Sequence, residues 1–127
     1  MSIKKILIIE RDQITSLDLK HQLTKGGFSV NMLTSFVETE LYKENYIPDL
    51  IIAFSDMKQM EGFENFKTNF AENETPIICI GTISNDETQI VCKELNIIGM
   101  FTKPFDSKNL ITFTKEYFGS KESKTIH

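Results

Sequence analysis

The stretch "PDLIIAFSDMKQMEGFE", residues 48–64, decides how the chain is read. Asp49–Phe54 is a short, Ile-rich run, bounded by Pro48 before it and a polar loop after it. A run of that length and character reads as a strand covered on both faces. It ends on Phe54, then Ser55, with the nearest carboxylate at Asp56. In α/β proteins the chemistry collects where such strands end. The stretch therefore asks whether an aromatic ring stands where a reactive carboxylate is expected.

The same signature recurs at Lys5–Ile9, Phe28–Leu33, Pro76–Gly81 and Ile97–Thr102. Amphipathic segments lie between and after these runs. Residues 13–25 place Ile14, Leu17 (or Ser16), Leu19 and Leu23 near one face and stop at Gly26-Gly27. Residues 35–45 carry Phe36, Val37, Leu41 and Tyr42, and residues 62–72 carry Phe63, Phe66 and Phe70. Residues 85–95 follow a capping box at Ser84–Glu87, and residues 106–118 open at Asp106 or Ser107. Five βα units joined by right-handed crossovers give a doubly wound, five-stranded parallel sheet with five helices, a flavodoxin-like fold.

The chain has 127 residues, enough for one core and not for two. Its net charge of −4 argues against nucleic acid as a partner, because neutralising phosphates takes a basic face. Its only arginine is Arg11. Cys79 and Cys92 lack metal-ligand spacing and read as free thiols of a reducing compartment. The apolar run near the N-terminus is too short for a signal peptide or a membrane span, which gives an expectation of a cytoplasmic protein. Residues 3–118 form the expected domain, and 119–127 a loose polar tail or the start of a linker.

Several segments taken together resemble the response-regulator receiver domain of two-component signalling. "KKILIIERDQ" is similar to its first strand and acidic cluster, and "LKHQLTKGGFSV" (19–30) to its first helix and second strand. "PDLIIAF" with "MEGFE" matches its third strand and loop, "TPIICIG" its fourth strand, and "GMFTKPF" its fifth, with Lys103-Pro104. The resemblance implies phosphoryl transfer from a histidine kinase to an aspartate, with magnesium neutralising the phosphoryl oxygens. The family supplies an acidic pair after the first strand, the acceptor aspartate after the third, a hydroxyl after the fourth and a lysine after the fifth. It also often carries a cis bond at the Lys-Pro step.

Carried onto this chain, the acceptor position falls on Phe54, a register fixed by Pro48 six residues before and Gly62 eight after. The acidic pair falls on Glu10 and Arg11. The hydroxyl position falls on Gly81, with Thr82 one residue late and therefore on the other face. The aromatic switch position falls on Met100, and only Lys103 is intact. With Glu10 and Asp12 set against Arg11 and Lys103, a pocket into which all four point is electrically balanced without a metal. A divalent cation beside two fixed cations meets roughly 4 kcal/mol of repulsion per unit-charge pair at 4 Å and an effective dielectric of 20. Magnesium binding is thus expected to be weak or absent. Phe54 is expected to plug the pocket with Arg11 or Lys103 against its ring, a contact worth about 0.5–2 kcal/mol.

Plainer readings stand beside these. Phe54 fills core, Arg11 is a solvated loop side chain, Asp12 is the N-cap of the first helix, and Glu10 pairs with Lys103 as a structural ion pair. Cys79 is a core thiol, and His21 a surface or boundary residue. On the resemblance, the chain is expected to be a protein-interaction module rather than an enzyme. Its partner face is formed by the fourth helix, fifth strand and fifth helix, drawing on Gln89, Lys93, Met100, Phe101, Phe113 and Tyr117, and a homodimer is compatible with that face. Two alternatives compete. One is an active receiver within a phosphorelay that uses Asp56 as a displaced acceptor. The other is a small flavodoxin-like ligand binder or enzyme, for which the sequence offers neither a Gly-rich phosphate loop nor a nucleophile–base pair.

Overall fold

A computed structural model describes residues 3–35, 38, 47–54, 66–68, 74–81 and 95–126, with residues 120–126 described as backbone alone. Five strands form one parallel sheet in the order β2-β1-β3-β4-β5: β1 Lys5–Ile9, β2 Ser29–Leu33, β3 Leu50–Phe54, β4 Ile77–Gly81 and β5 Ile97–Thr102. Two helices stand among the described residues, α1 Gln13–Lys25 and α2 Ser107–Ile126. The helices expected over 35–45 and 85–95 lie almost wholly outside the described residues, and of the segment 62–72 only Phe66–Thr68 is described.

Strand periodicity sorts the core into two layers. Ile6, Ile8, Leu50, Ile52, Phe54, Ile78 and Ile80 face α1 and α2, where Leu19, Leu23, Leu110 and Phe118 meet them. Leu7, Ile9, Ile51, Ala53, Ile77 and Cys79 face the other way and pack with Phe66 and Leu95. Every residue of β3 is buried, as a central strand covered on both sides requires. Each fully buried Ile or Leu contributes roughly 1.5–3 kcal/mol of transfer free energy.

The phase of α1 corrects one expectation. Ser16, Leu19 and Leu23 face the sheet, while Ile14 is 82% exposed and Leu17 55% exposed. The cause lies at the helix start. The Asp12 carboxylate caps α1 by accepting from the amides of Ile14 and Thr15, and this sets the rotation of the first turn. Ser16 is tolerated inside because its hydroxyl donates to the Asp12 carbonyl at 2.9 Å.

The other end of α1 closes as its glycines predict. Gly27 has φ +98°, its amide donates to the Thr24 carbonyl, and the Phe28 amide donates to the Leu23 carbonyl. This is a Schellman closure. At the far end of the chain, α2 continues through Gly119 to Ile126, over the stretch read from sequence as a polar tail or the start of a linker. Gly119 alone does not stop the helix, because a single exposed Gly costs only about 1 kcal/mol against Ala.

Two glycine substitutions separate these roles. Gly27→Ala places a Cβ on a left-handed residue and should lower stability in urea denaturation by about 1–2 kcal/mol. Gly119→Ala, with open space around the added methyl, should raise it by up to about 1 kcal/mol.

Candidate functional site

The carboxyl ends of β1, β3 and β5 bring together Glu10, Phe54 and Lys103. Glu10 follows β1 directly, and its amide donates to the Leu33 carbonyl at the end of β2. Its side chain is buried, and both carboxylate oxygens are engaged. Oε1 accepts the Asp12 amide at 3.0 Å and Oε2 faces Lys103 Nζ at 3.4 Å. The second distance describes an ion pair rather than a tight hydrogen bond. Lys103 follows β5, with its amide bonded to the Gly81 carbonyl and a cis peptide bond to Pro104.

Phe54 closes β3 and is 2% exposed. The Lys103 ammonium lies 4.9 Å from the centre of its ring. On another side, the Phe105 ring meets it edge-on, with centroids 5.8 Å apart and planes at 62°. The benzyl group is therefore held between an ammonium and a second ring, with core residues beneath it. A cation over a ring contributes about 0.5–2 kcal/mol and an edge-to-face pair about 0.5–1.5 kcal/mol.

The expectation that Arg11 or Lys103 lies against Phe54 resolves to Lys103. Arg11 is exposed, as its loop reading anticipates. Asp12 is likewise exposed and spent on capping α1, where the Thr15 hydroxyl donates to its carboxylate at 2.7 Å. The four-charge balance expected inside the pocket is thus a two-charge balance, Glu10 against Lys103. The Asp12 carboxylate is committed to the helix cap and interacts with Lys103 only at longer range, while Arg11 is exposed. Met100 faces away from Phe54, on the Cys79 side of the sheet, and is 50% exposed. Gly81 ends β4 without a side chain to offer. Asp56 and Thr82 lie outside the described residues.

Asp12 titrates below the ordinary carboxylate range. The Thr15 hydroxyl is the main cause; against partial desolvation, the amides of Ile14 and Thr15 and the Lys103 ammonium add to it. Sequence reasoning missed two participants. Thr15 was signalled by its place three residues after the cap, and Phe105 by its position directly after Pro104.

A divalent cation finds a poor donor set among the described residues. One buried carboxylate is already occupied on both oxygens, a lysine stands across it, and the third corner is a hydrocarbon ring. No group of three or more His, Cys, Asp or Glu among the described residues could hold a metal ion. The described residues of the site do not fit magnesium.

A five-stranded parallel sheet with an acid after the first strand and a lysine after the fifth defines a receiver-type signalling fold. Residues 6–115 match the family model described as the response regulator receiver domain, and the chain belongs to that family. It is 24% identical over 128 residues to the response regulator protein GraR of Staphylococcus epidermidis, covering 96% of this chain and 57% of that protein. It is 30% identical over 113 residues to the regulatory protein VanRB of Enterococcus faecalis, covering 87% of this chain and 50% of that one. The chain thus spans about half the length of the curated relatives it matches. Among solved structures it resembles a CheY-like receiver domain protein from Methanospirillum hungatei, with TM-score 0.81, 21% identity and coverage of 97% of this chain and 99% of that one. It also resembles the non-phosphorylated HemR receiver domain of Leptospira biflexa, with TM-score 0.73, 21% identity and coverage of 89% and 92%. At such identities the likeness speaks to fold.

Lys103→Met leaves the Glu10 carboxylate buried without its counter-charge. Because Lys103 is itself partly exposed, the expected loss is about 1–2 kcal/mol in denaturant unfolding, smaller than for a fully buried pair. The depressed Asp12 titration has a definite sign. Its contribution is present above the unfolded carboxylate value of about 4 and fades as pH falls through the lower folded value. Asn also caps helices but does not titrate. The stability difference between wild type and Asp12→Asn should therefore be constant from neutral pH down to about 5 and then decline on acidification.

Proposed function

We infer that this receiver domain works in signal transduction without accepting a phosphoryl group, as a pseudo-receiver that acts by binding another protein. The observation that carries this reading is the burial of Phe54 at the acceptor position, with Lys103 over its ring and paired to Glu10. A phosphoryl acceptor needs a nucleophilic oxygen and cationic help at the transferred group. Here the third strand ends in a ring, and the site's cation is already neutralised by its own acid. On this reading the chain is a cytoplasmic interaction module and not an enzyme. Among the described residues no helix is long and apolar enough to cross a membrane.

The partner face of this proposal includes β5 and α2. Met100 is half exposed there, Phe101 and Phe113 meet edge-on at 5.7 Å, and Tyr117 is partly buried one turn further along α2. Gln89 and Lys93, expected on the same face, lie outside the described residues. A second copy of the chain is one partner such a face accepts.

Incubation with acetyl phosphate and magnesium, followed by intact-mass measurement, tests the reading. The expected result is no phosphoryl adduct on the wild-type chain. An adduct that disappears on Asp56→Asn would replace this reading with that of a working receiver using a displaced acceptor. Phe54→Asp alone should also fail to bind magnesium in titration calorimetry, because Lys103 then pairs with the new carboxylate and Arg11 still occupies the second acidic position.

A further inference from the structure

We propose that Phe54 is an internal clamp on the β5–α2 connection, fixing where α2 begins without any ligand. The proposal deepens the reading given above and rests on it for its meaning in signalling. It concerns how the site is regulated rather than whether it reacts.

The geometry is unusual for a residue that only fills space. In the sheet, β3 and β5 are not neighbours, because β4 lies between them. Yet the ring of Phe54 touches both ends of the segment that leaves β5. Lys103 lies over it at 4.9 Å and Phe105 meets its edge at 5.8 Å. Lys103 then continues to Glu10 at the end of β1. In ladder spacings β5 and β1 are three strands apart, roughly 14 Å. The Lys103 side chain thereby reaches past β4 to the ends of β3 and β1, tying the start of the connection to the interior of the sheet.

Directly after Phe105 the chain enters α2. Asp106 accepts the Lys108 amide at 2.9 Å through its side chain and the Leu110 amide through its carbonyl, so the helix starts immediately after the clamped segment. Leu110 is fully buried against the same layer as Phe54. The position of the first turn of α2 therefore depends on where residues 103–105 are held. A clamp made from core contacts has no dissociable component. Any partner preferring another placement of α2 must supply the free energy of undoing it.

Hydrogen exchange on the whole 127-residue chain separates a clamp from simple filling. Phe54→Leu keeps most of the apolar volume but removes the ring that Lys103 and Phe105 both touch. The expected result is a folded protein with cooperative unfolding in which amides of residues 103–110 exchange about tenfold faster, while those of β1 and the C-terminal half of α1 are unchanged. Phe105→Leu, at a partly exposed position that does not threaten folding, should produce the same local acceleration. The double variant should add little to either single one. Exchange over 103–110 equal to wild type in Phe105→Leu overturns the clamp, even where Phe54→Leu proves too unstable to measure. That outcome leaves the phosphorylation reading standing. Conversely, a phosphoryl adduct on the wild-type chain overturns that reading and leaves the exchange result as it is.

Discussion

The arrangement at the end of the sheet depends on one ammonium group. Lys103 Nζ stands between the Glu10 carboxylate and the face of Phe54, and each contact makes the other less costly. A buried carboxylate needs a compensating charge, and a ring face offers the cation a second, partly dry neighbour. Since Lys103 directly follows the edge strand β5 and Glu10 directly follows β1, second in the sheet, this one side chain links the ends of strands that share no backbone ladder. Parallel sheets get their hydrogen bonds from adjacent strands only. The Lys103 contact acts across them.

In a phosphorylatable receiver, the same corner would hold exchangeable components: an ion, a phosphoryl group and water. In this chain Glu10, Phe54 and Lys103 meet at that corner through their own side chains. On the reading proposed above, that difference changes what kind of signal the module carries. A site with dissociable parts reports their concentration. A site built from side chains reports only conformation, and responds to whatever binds one conformation better than another. On that same proposal, the half-exposed residues of β5 and α2 are where such a binder finds purchase.

Much of this was legible in the sequence. The bounds of β1, β5 and α1 follow from apolar runs, the Asp12 cap and the Gly26-Gly27 stop, and they agree with the structure. The starts of β2, β3 and β4 fall one residue later than the apolar pattern suggests. At β2 the reason is visible: the Phe28 amide is taken by the Leu23 carbonyl in closing α1, so the ladder begins at Ser29. The placement of Phe54 was legible because Pro48 and Gly62 pin the register from both sides. The phase of α1 was only partly legible, since the pattern left Leu17 or Ser16 open and placed Ile14 in the core. Only the cap geometry, which depends on Asp12, Thr15 and Ser16 acting together, turns Ser16 inward. The choice between Arg11 and Lys103 was also beyond the sequence, because it turns on which side chain is free of the helix start.

The length of α2 has a mechanical consequence. Its 20 residues make a rod of roughly 30 Å, against about 17 Å for a five-residue strand, so its distal turns overhang the sheet. Leu110 and Phe118 seat about the first three turns of that rod against the sheet, so a tilt about a fulcrum at the helix start requires that packing to yield. A tilt of about 10° at the fulcrum sweeps the far tip through about 5 Å, enough to make or break a docking contact.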